Sequence, residues 1–579
     1  MPSLTVIVLS LVNVDSSTNT PILSESDVMS KRVRVLKQLA AVAAAGALVV
    51  TLGGCSAEPT PAVEEPTPIA STITFAIEGA NLSAGHMDIH SSQLDVASLV
   101  LRNTFDSLVA QDASGAFVPW LAKSWTISED GLRYTFQLRE DVTFHDGEAF
   151  NAEAVKVNFD HVVNPETASA QAASLIGYAE DGGYYVDTEV LSEFEVAVNF
   201  RQPYAPFLQG VSLPQLGFYS PKVLEVSADD LKAGGPGVTV GTGPFMLTDY
   251  TPDQELVFTA NPDYNWAPEG SAHQGRAASD TLIIRILPEA ASRVGAIASG
   301  DADVAADFTP NMAAQLGSDV TVTSVELPGL PYSLYLNEDF GVFSDQRVRE
   351  AFSVGVDTQS AIDSIYLEQF SRAWSILGPT TPNSYDASLE GSWPFNPDKA
   401  NTLLDDAGWT ERDDDGYRVK NGERLSARWI AWTPVPDDRA SLADFIQSDL
   451  KNIGFEIVRD VLEPALYNES YGPRTFDLTD WAFSSPDADV LRSHLGTGGF
   501  QTVSPVAKPE VDTWLDEAVA TSDPAARAAL YTKIQAWNAK EVLIVPLYVA
   551  SEITVANDTV KGLTFDLYGR ASFYGASGF

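Results

Sequence analysis

The sequence predicts an α/β fold, and three stretches carry that expectation. From Thr72 to Ile77 apolar residues alternate, with Ile73, Phe75 and Ile77 on one face; Leu94, Ala97, Leu101, Phe105 and Leu108 then recur at helical spacing, so a strand leads into a helix. Leu442, Phe445, Ile446, Leu450 and Ile453 line a second helix, which ends at Gly454 and runs into an alternating strand through Phe455 and Ile457. Asn396-Pro397 and Asp523-Pro524 each set a capping residue before a proline at the first helical position; after the former, Ala400, Leu403, Leu404 and Ala407 form a buried stripe that Gly408 can stop. Helices that alternate with strands cover sheet faces, which favours α/β lobes over a sandwich or a bundle.

Taken from the N-terminus, the chain opens with 30 residues that hold no Lys or Arg, followed by Lys31, Arg32, Arg34 and Lys37, the apolar run Leu39 to Val50, and Leu52-Gly53-Gly54-Cys55. A basic start, a short apolar stretch and small residues before a cut form an export signal, and Met29 is the expected true start. The apolar stretch falls short of the about 20 residues a spanning helix needs. Cys55 is the only cysteine in 579 residues, so no disulfide can form within the chain. Residues 55–70, with Pro59, Pro61, Glu64, Glu65, Pro66 and Pro68, have little to bury and form an extended tether. The folded part begins near Ser71.

Composition is that of ordinary globular material, 45% hydrophobic and 20% charged, and the length suggests two or three domains. With 79 acidic against 35 basic residues the formal charge is −44, which argues against nucleic acid as a partner. The excess reads as a solvated acidic shell, with attraction of cationic solutes as the alternative. Asn421-Gly422, between Tyr417 to Lys420 and Glu423 to Ile430, is a hairpin signal.

The stretch 121–159, LAKSWTISEDGLRYTFQLREDVTFHDGEAFNAEAVKVNF, reads as strand, turn, strand, turn and helix, with Gly131 and Gly147 where turns want positive φ. Together with Gly241-Thr242-Gly243-Pro244-Phe245, Asn261-Pro262-Asp263-Tyr264, Ser299-Gly300-Asp301-Ala302-Asp303, the segment from Phe343 to Val356 and that from Leu403 to Trp409, it resembles the extracytoplasmic solute-binding proteins of ABC importers, family 5, which include oligopeptide, dipeptide and nickel binders. Leu-Gly-Gly-Cys likewise resembles the bacterial lipobox, which makes Cys55 the lipid-attachment site and anchors the protein to the outer face of the cell membrane.

The resemblance implies a two-lobed periplasmic-binding-protein-like clamshell of class II type with an additional inserted domain. Lobe I would comprise 71–112, 238–335 and 546–579, the inserted domain 113–237, and lobe II 336–545. It further implies a monomer that captures a peptide or peptide-like solute and passes it to a permease and its ATPase subunits, with no cofactor. A different solute, such as a metal chelate, opine or oligosaccharide, or a surface receptor or chaperone-like lipoprotein outside transport, are the alternatives.

Peptide binders of the family commonly place an ammonium-binding aspartate near a segment like Trp481 to Asp489; here Ser484 takes that position and Asp487 could replace it only if the loop shifts. Trp481 and Phe483 offer flat apolar walls, and Trp432-Thr433 ends a strand expected to open toward the cleft; core packing is the competing reading for each aromatic. Arg474 could meet a carboxylate, or be a solvated surface residue. His86 and His90 lie four apart, but Gly85 and Asp88 suggest a loop, so no metal pair is expected. Asp413, Asp414, Asp415 and Gly416 resemble part of a calcium loop, but the twelfth position from Glu411 is Gly422, so an acidic turn is expected instead. No H-E-x-x-H, G-x-S-x-G or P-loop occurs, His145 reads as a turn residue, and no enzymatic role is expected.

Overall fold

Two twisted sheets, each sandwiched by helices, divide most of the chain between them in a computed structural model that describes residues 71–79, 81–169, 175–179 and 183–578. The export signal, Cys55 and the tether lie outside the described residues. The first sheet has seven strands in the order Val320–Glu326, Ser551–Asn557, Val304–Ala305, Thr72–Ile77, Thr281–Ile286, Glu255–Ala260 and Phe245–Thr251. Thr72–Ile77 sits at its centre, parallel to Thr281–Ile286 from Thr72 opposite Thr281 to Ile77 opposite Ile286. Ile73, Phe75 and Ile77 enter one core as their alternation predicts, while Ala76 enters a second core on the opposite face. The helix that follows is shorter than its apolar spacing suggests, Asp95–Leu101. Asn103 ends it: its side-chain amide donates to the Val100 and Leu99 carbonyls, so Phe105 and Leu108 are buried from the irregular segment that follows.

The second sheet has six strands in the order Ser371–Arg372, Ile544–Val549, Gly329–Leu336, Leu478–Ser484, Ser426–Trp432 and Glu456–Leu462. The chain passes from the first sheet to the second through Leu327-Pro328 and returns through Ala550, and the Leu327 amide donates to the Ala550 carbonyl at 2.9 Å. These two neighbouring crossings are the hinge between the lobes. Around this sheet the helix starts read from proline are in place. Asn396 caps Pro397–Asp406 through the Lys399 amide at 2.9 Å, and Asp523 caps Pro524–Glu541 through the Ala526 amide at 2.8 Å. Helix Asp437–Asn452 ends at Gly454, whose φ of +85° is the left-handed stop.

A four-stranded sheet, Ala122–Ile127, Arg133–Leu138, Glu195–Phe200 and Tyr185–Ser192, with helix Ala152–Val162, accounts for the 121–159 stretch as strand, turn, strand, turn and helix. His145 is a turn residue: its amide donates to Gly241 O and its Nε2 to Gly243 O, both at 2.9 Å, which ties the FHDG turn to the GTGPF segment.

The Asn421-Gly422 turn joins Arg418–Lys420 to Glu423–Arg424 with both φ positive, +55° and +83°. The strand expected to run on to Ile430 breaks at Leu425, which is buried, and Ser426–Trp432 joins the six-stranded sheet. Asp413 is an acidic turn residue: it accepts from the Asp415 and Tyr417 amides, and Arg424 pairs at 2.7 Å with Asp413, Asp415 and Glu456. His90 lies in a loop but is buried. Its ring neighbour is not His86 but His161 of helix Ala152–Val162, Nδ1 to Nδ1 at 3.0 Å, while Nε2 donates to Gly217 O.

Candidate functional site

A cavity of about 160 Å³ lies where the first lobe and the four-stranded domain face the second lobe; its wall includes Arg102, Gln111, Trp120, Tyr568 and Arg570, and Pro486 faces them from the second lobe. The lobes also touch away from the hinge: the Ala205 amide donates to Val519 O at 2.8 Å, and the turn at Gly115 packs against Pro382. The cleft is therefore closed over the cavity.

Two arginines dominate its wall. Arg102, just past helix Asp95–Leu101, lies over the Trp120 ring at 5.1 Å and donates to Phe105 O, Ser107 Oγ and Ser212 O at 3.2, 2.8 and 2.7 Å. Burial lowers its pKa to about 10, with Asp106 opposing. Asp106 itself is buried, accepts from Trp266 Nε1 at 2.9 Å and Thr242 Oγ1 at 3.0 Å, and is pushed up to about 7 by desolvation. Arg570 stacks on Tyr568 at 4.1 Å and donates through Nε to Asp95 at 2.9 Å. Guanidinium groups beside aromatic faces in a recess between the lobes suit the recognition of a polar solute.

The residues expected from sequence to meet the solute fall into separate groups on the second lobe. Trp432, 46% exposed, packs on Tyr467 at 5.4 Å, and the Thr433 amide donates to Leu462 O. Trp481 meets the edges of Tyr467 and Tyr471 at 6.1 Å, so Trp432 and Trp481 share one aromatic cluster around Tyr467. Phe483, 48% exposed, lies apart from it, 5.9 Å from His494. Ser484 ends its strand opposite Gly329 beside the hinge. Asp487 is committed elsewhere: both its oxygens accept from Arg527, each at 2.7 Å, and Oδ1 also takes the Asp489 amide. It is not free to meet an ammonium group without leaving a partly buried guanidinium unpaired. Arg474 donates to the Thr502 carbonyl. None of these residues lines the cavity; Pro486 alone reaches it from their loop.

Sequence reasoning passed over Arg102, Trp120 and Arg570. Arg102 had a signal, a cation one residue past an apolar helical stripe. Arg570 had none, because only long-range folding brings 566–572 beside residues near 100.

Comparison with known proteins places this geometry. Residues 116–501 match the model of the bacterial extracellular solute-binding proteins, family 5 Middle. The chain belongs to family 5 of the bacterial extracellular solute-binding proteins. The nickel-binding periplasmic protein of Escherichia coli K12 is 28% identical over 480 residues, 80% of this chain and 86% of that protein. Di/tripeptide-binding protein 2 of Pseudomonas aeruginosa UCBPP-PA14 is 29% identical over 453 residues, 73% of this chain and 79% of that one. Among solved structures, NikA from Brucella suis in complex with Fe(III)-EDTA superposes with a TM-score of 0.75 at 25% identity, covering 88% of this chain and all of that one. The protein is thus an extracytoplasmic solute-binding component of an ABC importer, and its α/β lobes are those of periplasmic binding proteins. In such a clamshell a solute that touches both lobes favours the closed form, which turns binding into a shape the permease can read.

Proposed function

We propose that this protein captures a peptide or peptide-like solute in the cavity between its lobes, as a monomer held to the outer face of the cell membrane by a lipid on Cys55, and that it turns nothing over. The observation that carries the reading is the closed cleft, with guanidiniums and aromatic rings on one wall and the Pro486 loop opposite. The di/tripeptide-binding relative supports the solute class. The aromatic cluster of Trp432 and Trp481, with Thr433, Phe483 and Ser484 near the same sheet end, would meet the solute in a more open form of the cleft. Asp487 would join them only if its loop shifts and Arg527 is released.

The domain division at 71–112, 113–237, 238–335, 336–545 and 546–579 belongs to this reading. Sheet membership moves two of its bounds: Gly329–Leu336 and Ile544–Val549 both pair in the second lobe's sheet, so that lobe would run from Gly329 to Val549.

A metal chelate is the second reading, favoured by the nickel-binding relative and by the likeness to a protein solved with Fe(III)-EDTA. The two readings part in a thermal-shift screen of the purified protein against di- to pentapeptides, metal chelates, opines and oligosaccharides. A solute at about 100 times its Kd adds about 2.7 kcal/mol. Shifts with peptides alone carry the first reading, shifts with chelates alone the second, and no shift across the panel favours a role outside transport.

A further inference from the structure

We propose that the end of helix Pro509–Val519 is a latch that holds the lobes together from outside the cavity, with Val519 as its bolt and the Tyr204-Ala205 corner of the four-stranded domain as its seat. Val511, Leu515 and Ala518, at i, i+4 and i+7 of that helix, are buried in the second lobe's own core. Val519, at the edge of the same stripe, is not among them. It is 3% exposed and belongs to the core of the four-stranded domain, with Tyr134, Phe200, Tyr204 and Phe207. A side chain of the second lobe thus completes a core on the other side of the cleft.

The backbone closes the same contact. Val519 O, a carbonyl from the helix end, accepts from the Ala205 amide at 2.8 Å. Pro203 and Pro206 restrict the chain on either side of Tyr204-Ala205, and the Tyr134 hydroxyl donates to Tyr204 O at 3.2 Å, so the seat is fixed from within its own domain. The bolt is also tied to the cavity. Arg527 Nε donates to Ala518 O at 3.1 Å and Arg492 Nη2 to Leu515 O at 2.6 Å. The same two guanidiniums hold Asp487, by two bonds of 2.7 Å, and Asp489, at 3.2 Å, in the loop that carries Pro486 to the cavity wall. A shift of Pro486 is passed through these ion pairs to the helix end that bears Val519. Burying one valine side chain shifts an equilibrium by about 10- to 150-fold. That shift favours the closed form whatever solute the cavity takes. The affinity for a solute that touches both lobes falls with the closed fraction, so Val519 sets affinity without touching the solute.

Small-angle X-ray scattering and amide hydrogen exchange of the purified protein, dialysed free of solute, test the latch. Val519→Ala removes two methyl groups and leaves residue 205 unaltered, so exchange of the Ala205 amide should quicken at least about 10-fold. Val519→Asp sets a carboxylate in the apolar seat and should raise the radius of gyration above that of the parent, with the circular dichroism of the folded protein retained. Val511→Ala takes the same two methyl groups from the second lobe's own core; it should lower the melting point and leave the radius and Ala205 exchange at parent values. Parent exchange and a parent radius in the Val519 variants overturn the latch. Equal quickening at Ala205 in Val511→Ala and Val519→Ala overturns it too, since the contact would then report only general loosening of the fold.

Discussion

Replacing Asp487 with Asn separates the two roles that sequence and structure give this residue. In the folded protein Arg527, its side chain 17% exposed, donates two 2.7 Å bonds to Asp487; it also donates to Ala518 O at 3.1 Å and Tyr531 Oη at 3.0 Å. Asn keeps one acceptor and removes the charge, so the guanidinium is left partly buried beside a neutral group. Breaking one side of a fully buried pair costs about 3 to 5 kcal/mol, and the partial exposure and surviving contacts put this case at no more than about 3. The second lobe, about 220 residues between the crossings near 327 and 550, unfolds with about 0.46 kcal/mol/K of entropy, so its melting point should fall by about 6 °C, or about 3 °C if both lobes melt together. Scanning calorimetry reads the shift, and Asp487→Leu combined with Arg527→Met should restore most of the loss. An unchanged melting point together with lost solute binding would refute this account and make Asp487 a solute contact.

Five further outcomes follow, four from the structure and one from the proposed lipid anchor. Asp523→Ala removes the cap on helix Pro524–Glu541 and should cost about 1 kcal/mol in urea unfolding. Gly329→Ala sets a Cβ 2.5 Å from Ser485 N at φ +95° beside the hinge, and should destabilise the protein by more than about 2 kcal/mol. Asp106, raised from 3.8 to about 7, contributes most stability below pH 3.8 and loses it as pH rises to 7; Asp106→Asn should therefore match the parent near pH 4 and exceed it at pH 8 by at most about 4 kcal/mol, read from melting points across pH. His90 and His145, lowered to about 4 by burial, act in the opposite sense, their contribution being complete above pH 6.5 and lost as pH falls to 4, so each replaced by Gln should flatten the acid side of the same curve. Cys55→Ser should move the protein from the membrane fraction to the soluble one, which fractionation and blotting would record.

Local chemistry made much of the fold legible. The alternation at Thr72–Ile77, the capping residues before Pro397 and Pro524, and the turns at Gly131, Gly147 and Asn421-Gly422 depend on neighbours within a few residues, and each is where the sequence places it. Where a competing contact is also local but carried by a side chain, the reading overran: Asn103 ends the first helix at Leu101, and the buried Leu425 divides the strand after the hairpin between two sheets.

The site divides on the same principle. Motifs of the 121–159 stretch and GTGPF establish the family from sequence alone, and the structure adds why they occur together, since His145 bonds to Gly241 and Gly243 about 100 residues away. Spacing could mark Trp432, Trp481 and Asp487 as candidates but could not show that Arg527, 40 positions on, holds Asp487. Nor could it bring Arg570 beside Asp95, 475 positions earlier. Periodicity and capping are set by bonds within a turn or two of the chain and are written in the sequence. Which charge meets which is set by how the sheets pack, and that only the tertiary structure decided.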